Sequence, residues 1–254
     1  MPERTLTVFH LYADTLNLYG DFGNVQTLQR RCEWRGIGCR VVKVGIAQPV
    51  DFGECDILFV GGGQDRAQSL VADDLVTHGE MIRQRVEEGM VSLTICGGFQ
   101  LLGRSFLTSD GVTLPGIGVF AADTVAGTGR LIGDVVIDTR DNPHEWLRHG
   151  GDPTLVGFEN HSGHTRLDPG LEPLGRVVCG YGNEGDGAFE GAVYKHCVGT
   201  YLHGSLLPKN PWLADRLIAT ALCERYGPGD PLPPLEDSLE WRAHERAIEH
   251  CKAS

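Results

Sequence analysis

Val91-Ser92-Leu93-Thr94-Ile95-Cys96-Gly97-Gly98-Phe99-Gln100-Leu101-Leu102 decides how this chain folds. Residues 91–95 are a short apolar run, the mark of a strand buried on both faces. An apolar segment, Phe99 to Gly103, follows Cys96-Gly97-Gly98 at once, so a strand turns sharply into a helix with a cysteine at the turn. Such an elbow pushes the reactive residue out at the carboxyl end of a sheet. The helix N-terminus behind it favours thiolate over thiol, and the glycines let a substrate carbonyl approach the backbone.

Upstream, Leu6–Leu11, Cys39–Val44 and Asp56–Val60 read as strands, the last running into Gly61-Gly62-Gly63. Between them Asn24–Arg35 reads as a helix, with Asn24 as its cap and Gly36 as its stop. Leu75, Gly79, Ile82 and Val86 recur at helical spacing on another, which Gly89 ends. Strands alternating with helices predict βαβ units and a parallel sheet. Right-handed crossovers then place the Gly61 loop and Cys96 together at its carboxyl edge.

From Gly116 to Tyr201 the pattern becomes β-rich, with runs at 134–138, 155–158 and 198–201, expected as a second half of the same sheet. Pro211–Tyr226 returns to helix. Residues 227–234 read as a proline-rich linker, and Ser238–Ala253 as a charged helix with a narrow stripe of Leu235, Leu239, Ala243 and Ala247. The expected organisation is one catalytic domain over 1–227 and a linker plus C-terminal helix over 228–254.

The chain has 254 residues and a formal charge of −12, which argues against a nucleic-acid partner. Its eight cysteines are scattered, include no Cys-x-x-Cys pair, and follow a Met1–Thr7 start without signal-peptide character, so reduced cytoplasmic thiols are expected. No apolar run approaches the roughly 20 residues of a membrane span.

A thiol nucleophile needs a base. His203 follows the 198–201 strand and precedes Gly204, which puts it at another carboxyl edge; the alternative is a surface-loop histidine. For the oxyanion, the Gly97 N–H is one donor and the loop ending in Gly63 offers a second. Other signals are decoys. Gly180–Gly185 matches G-x-G-x-x-G, but no helix opens after it. Gly61–Ser69 lacks the lysine of a phosphate-binding loop. His161 and His164 lack a third ligand and read as solvated loop residues, so no metal is expected.

Cys96-Gly97-Gly98-Phe99-Gln100 resembles the nucleophile motif of class I glutamine amidotransferases, and Thr200-Tyr201-Leu202-His203-Gly204 resembles their histidine motif. Ile95 before the thiol and the Cys-Gly-Gly form look like the cobyric-acid-synthase-like branch. Leu16–Asn24, Gly157–His161 and Gly199–Gly204 with Leu207–Asn210 are similar to the GatD-type glutaminase subunits of lipid II isoglutaminyl synthases. The resemblance implies a class I glutamine amidotransferase-like α/β fold: a central, mostly parallel twisted sheet flanked by helices, with a C-terminal helical extension.

It further implies that Cys96 attacks free glutamine, His203 activates the thiol and protonates the departing ammonia, and Arg130 holds the glutamine α-carboxylate. Gln100 either lines the pocket or is only a helix residue. The implied partner is a MurT-type, Mur-ligase-like subunit that uses ATP and magnesium, carried by the partner and not by this chain, to amidate the D-glutamate α-carboxyl of lipid II. The implied place of action is the inner face of the cytoplasmic membrane, with no integral segment. A cobyrinate-amidating glutaminase, a catalytically silent subunit and a cysteine peptidase are the competing readings. Many class I enzymes carry a glutamate two residues after the histidine; here Ser205 stands there. That leaves a Cys–His dyad, Glu159, or an acid from the partner, and the partner is favoured because it would couple hydrolysis to assembly.

Overall fold

The computed structural model describes residues 3–253. Met1 and Pro2, at the head of the stretch read as lacking a signal peptide, and Ser254, the last residue of the 228–254 extension, lie outside the described residues. Two six-stranded sheets organise the chain. The first contains β1 (Thr5–Leu11), β2 (Gly38–Val44), β3 (Ile57–Val60), β4 (Val91–Ile95), β11 (Ala192–Tyr194) and β12 (Cys197–Thr200), in the order β11-β12-β4-β3-β1-β2. All neighbours are parallel except the edge pair β11–β12. β3 and β4 are buried at every residue, as their unbroken apolar runs predict for central strands.

Helices α1 (Phe22–Glu33), α2 (Asp65–Glu87), α3 (Gly97–Leu102) and α4 (Pro211–Tyr226) accompany this sheet. On α2 the buried face includes Leu75, Gly79, Ile82 and Val86, as the spacing predicts. Asn24 is not a cap. Helix α1 starts two residues earlier, and Asn24 lies buried within it, its Oδ1 accepting the Leu207 N–H at 2.8 Å. Arg31 of α1 is 2% exposed and paired at 2.7 Å with both Asp215 of α4 and Asp237 beyond it. Arg35 donates to the Pro233 carbonyl, so the proline-rich stretch is held against α1.

The β-rich stretch from Gly116 to Tyr201 divides: its 198–201 run is β12, which with β11 does continue the first sheet, whereas the remainder belongs to a separate sheet. It contains β5 (Ser105–Leu107), β6 (Thr113–Pro115), β7 (Ala122–Asp138), β8 (Thr154–Leu167), β9 (Gly175–Cys179) and β10 (Phe189–Glu190). The long strand β7 pairs with β8 along one edge and with β5 and β9 at opposite ends of the other. The β7–β8 ladder breaks between Ala126 and Leu131, where residues 127–130 bulge out of register. Bulges of this kind re-aim side chains beside active sites, and this one carries Arg130.

Helix α5 (Ser238–Ala253) packs on β7 and β8, with only Ala247 of the predicted stripe's helical residues in the contact. Leu239 is 65% exposed, whereas His244 and Cys251 are buried. His244 Nδ1 donates to the Lys209 carbonyl and Nε2 is hydrogen-bonded to Thr154 Oγ1, both at 2.8 Å. Cys251, Ala247 and Ile248 cover Val136 and Val156. Cys179 and Cys251 form a disulfide, against the expectation that all cysteines stay reduced; sequence spacing gave no sign that β9 and the end of α5 meet. Closing a span of 72 residues stabilises the fold by about 4 kcal/mol in the chain-entropy view.

Candidate active site

Four adjacent strands of the first sheet, β12, β4, β3 and β1, deliver four loops to one carboxyl edge. Cys96 follows β4, with a backbone at φ 50° and ψ −104° that a non-glycine residue rarely adopts. The strain is over-determined by its surroundings: the Cys96 N–H donates to the Thr200 carbonyl at 2.8 Å, and the Gly98 N–H to the Gly61 carbonyl at 3.1 Å. Gly98 has no room for a side chain, since a Cβ there would stand 2.6 Å from the Val60 carbonyl oxygen.

His203 sits beyond β12, fully buried and not in a surface loop. It is locked by two backbone bonds to Phe158 of β8, N–H to carbonyl at 2.7 Å and the reciprocal at 3.2 Å. Beneath it Glu190 accepts from Thr200 Oγ1 and the Tyr201 N–H; burial pushes the Glu190 carboxyl up to about 8. Burial alone would lower the His203 imidazole, but the Cys96 charge and Asp21 outweigh it and raise it to about 10. Neither ring nitrogen has a hydrogen bond of ordinary geometry in this resting arrangement.

Asp21 is the residue that sequence reasoning missed. It stands just ahead of α1, where an aspartate reads as a helix cap, yet its side chain makes no capping bond. Its Oδ2 accepts the Gly62 N–H at 2.6 Å, and its Oδ1 lies 3.5 Å from His203 Nδ1, with both residues fully buried. Glu159 is held elsewhere: its carboxylate accepts the Tyr181 and Gly182 N–H groups and faces His161 at 3.5 Å.

A cavity of about 430 Å³ opens beside the thiol, lined by Cys96, Gly63, Gln100, Arg130, Asn160 and Tyr19 among others. A Cβ on Gly97 would stand 3.0 Å from both the N and the O of Gly63, so the two backbones meet there. As the first residue of α3, Gly97 has an N–H with no intrahelical acceptor. Gln68 Nε2 donates to the Gly63 carbonyl and to Gln100 Oε1. Gln100 Nε2 donates to the Tyr201 hydroxyl at 3.1 Å. Gln100 thus lines the cavity with both ends of its amide engaged within the protein.

Arg130 is held at the cavity by Asn160: its Nε donates to Oδ1 and its Nη2 to the carbonyl, each at 2.8 Å. No carboxylate of the described residues pairs with it. Asn160 Nδ2 in turn donates to the Tyr19 hydroxyl, and the Tyr19 ring stands edge-on to His203 at 5.1 Å. Tyr19 and Asn160 were invisible as site residues because their roles depend on loops that meet only in space. His161 also departs from its reading: it is buried in β8 and stacked on Tyr201 at 3.6 Å. No group of metal-ligating side chains occurs among the described residues.

Residues 7–211 match the CobB/CobQ-like glutamine amidotransferase domain. The chain is 43% identical, over 97% of its length and 96% of the relative's, to the glutamine-hydrolysing GatD subunit of lipid II isoglutaminyl synthase from Staphylococcus aureus. It is 41% identical to the GatD subunit of Streptococcus pneumoniae, over 92% of this chain and 87% of that one. The fold is that of PurLQS from Thermotoga maritima, with a TM-score of 0.59 at 13% identity, covering 85% of this chain and 97% of that one. With a cysteine elbow, a buried histidine and a glycine loop at one sheet edge, the chain belongs to the CobB/CobQ-like glutamine amidotransferase family.

Proposed function

We propose that this chain is the glutaminase subunit of a lipid II isoglutaminyl synthase. The observation that carries the reading is that Cys96, Gly63 and Arg130, a guanidinium with no carboxylate partner among the described residues, line one cavity while the buried His203 and Cys96 both close on Gly62, in a chain whose near-full-length relatives bear that name. The Cys96 sulfur attacks the side-chain amide carbon of glutamine. Negative charge develops on the amide oxygen, where the Gly63 and Gly97 N–H groups receive it. His203, protonated beside the thiolate, donates a proton to the leaving nitrogen, and ammonia departs from a thioester. His203 then takes a proton from water, which attacks the thioester and releases glutamate.

Arg130 holds the glutamine α-carboxylate, oriented by Asn160 so that its planar fork is preset. Ammonia passes to a MurT-type, Mur-ligase-like partner, which supplies ATP and magnesium and amidates the D-glutamate α-carboxyl of lipid II. No helix of the described residues is long and apolar enough to cross a membrane. In this reading the chain meets the inner face through the partner's lipid-linked substrate.

The test is direct. The chain co-expressed with such a ligase releases glutamate and ammonia from free glutamine and amidates lipid II with glutamine as nitrogen donor. Release of amide from peptides with no response to free glutamine would sink the reading. Arg130→Ala raises the KM for glutamine about 10–10²-fold with a smaller change in kcat, the loss of one charge-assisted contact. Steady-state kinetics with glutamine check it, and a KM equal to wild type removes Arg130 from the substrate site.

A further inference from the structure

We propose that Asp21 is the acid of a Cys96–His203–Asp21 triad, a positioning residue that acts through His203 and at the same time fixes the oxyanion loop through Gly62. This rests on the glutaminase reading above and replaces both Glu159 and a partner-supplied acid as the third member.

The argument starts from two unsatisfied atoms. Asp21 Oδ1 and His203 Nδ1 are both buried, both without a hydrogen-bond partner, and face each other at 3.5 Å. A buried carboxylate oxygen left unpaired is unfavourable, and so is a buried ring nitrogen. Each satisfies the other once Nδ1 carries a proton. Catalytic contacts in ligand-free enzymes are often long and tighten when substrate arrives. Nδ1–H facing Asp21 fixes the tautomer and turns Nε2 to the thiol.

The surroundings leave this pairing no competitor. Cys96 comes from the elbow, Tyr19 and Asp21 from the segment ahead of α1, and His10 from β1 behind Asp21. Burial lowers the His10 imidazole to about 4, so it stays neutral and leaves the Asp21 charge to His203. Ser205, at the position where related enzymes carry glutamate, instead donates to the Gly20 carbonyl. A Cβ on Gly23 would stand 2.2 Å from Ser205 Oγ, so Ser205 packs directly on the backbone of the segment that carries Asp21. Serine there buttresses the segment that brings Asp21 in. The acid has moved from the histidine loop to the loop after β1.

The second oxygen makes the role double. Oδ2 accepts the Gly62 N–H at 2.6 Å, and Gly63 is the next residue. One carboxylate therefore sets the imidazole and the oxyanion loop in a common frame.

Asp21→Asn separates charge from shape, because its amide oxygen still accepts from Gly62. In the assembled enzyme kcat/KM for glutamine hydrolysis falls about 10²-fold or more. The alkaline limb of the pH profile also moves down by about 1–3 units, because removal of the anion lowers the imidazole and the imidazolium is lost at a lower pH. Asp21→Glu recovers part of the activity. Wild-type kcat/KM with an unmoved alkaline limb in Asp21→Asn overturns the proposal, and the third acid is then the partner's. If Asp21→Asn does not fold, nitrogen NMR of ring-labelled histidine in the wild-type chain decides. A His203 imidazolium carries both ring protons, so the readout is its Nδ1–H: a strongly downfield proton, bonded to a carboxylate, supports the triad, and one at the position of an unbonded imidazolium overturns it. Cys96→Ala in the same assay separates the two readings, since hydrolysis that survives it defeats the glutaminase assignment itself.

Discussion

Replacing Cys96 by alanine or serine abolishes glutamine-dependent amidation by the assembled two-subunit enzyme and leaves amidation from free ammonia intact. The loss in glutamine hydrolysis is about 10⁴-fold or more, the scale of removing a covalent nucleophile. Alanine has no lone pair to attack with. Serine keeps the shape, but its hydroxyl is a far weaker acid than a thiol, so it forms no resting anion–imidazolium pair and remains a poor nucleophile in a site built around a thiolate. The fold tolerates both changes. The residue is 7% exposed and its elbow is held by backbone bonds to Thr200 and Gly61, not by sulfur. The check is a pair of assays on one preparation, with glutamine or an ammonium salt as nitrogen donor. Loss of both activities would mean that Cys96 supports the structure; retention of the first would mean that another group forms the thioester.

The parts of this site that the sequence disclosed are those built from one continuous segment. The elbow is legible because strand, cysteine, glycines and helix follow one another within a dozen residues, and β3 with its glycines is legible for the same reason. What stayed hidden depends on pairing across the chain. The second sheet hangs on β7, whose glycine-rich, bulged middle interrupts any alternation, so only its 134–138 end reads as strand. The face of α5 was only partly legible: Ala247 of the expected stripe packs on the sheet, but a buried histidine and a disulfide cysteine do the rest where Leu239 and Ala243 were expected. Asp21 hid in plain view. Its position ahead of a helix has an ordinary explanation, and its partners Gly62 and His203 come from two other loops. Arg130 is intermediate: resemblance singled it out, and the bulge at 127–130 supplies the physical reason that it reaches the cavity.

Gly62→Ala is expected to disable catalysis while the sheet stays folded. Three groups converge on the space where a Cβ would go. It would stand 2.6 Å from His203 Cε1, 3.2 Å from Asp21 Oδ2 and 3.4 Å from the Cys96 Cβ. The first distance is well inside contact, and the imidazole has no free direction in which to yield, being fully buried and held through its own backbone to Phe158. Either the ring turns away from the thiol or the loop withdraws and takes the Gly62 N–H from Asp21 and the Gly63 N–H from the oxyanion. Misplacement on the order of 1 Å in such a site lowers the rate about 10²-fold. The outcome differs from that at Gly98, where a Cβ meets the carbonyls of β3 and its loop, so that the elbow itself is disturbed. Gly62→Ala therefore keeps a near-wild-type melting temperature and loses kcat, and labelling of Cys96 by a glutamine-analogue electrophile slows with it. Wild-type kcat in a folded Gly62→Ala chain would mean that His203 sits elsewhere during turnover.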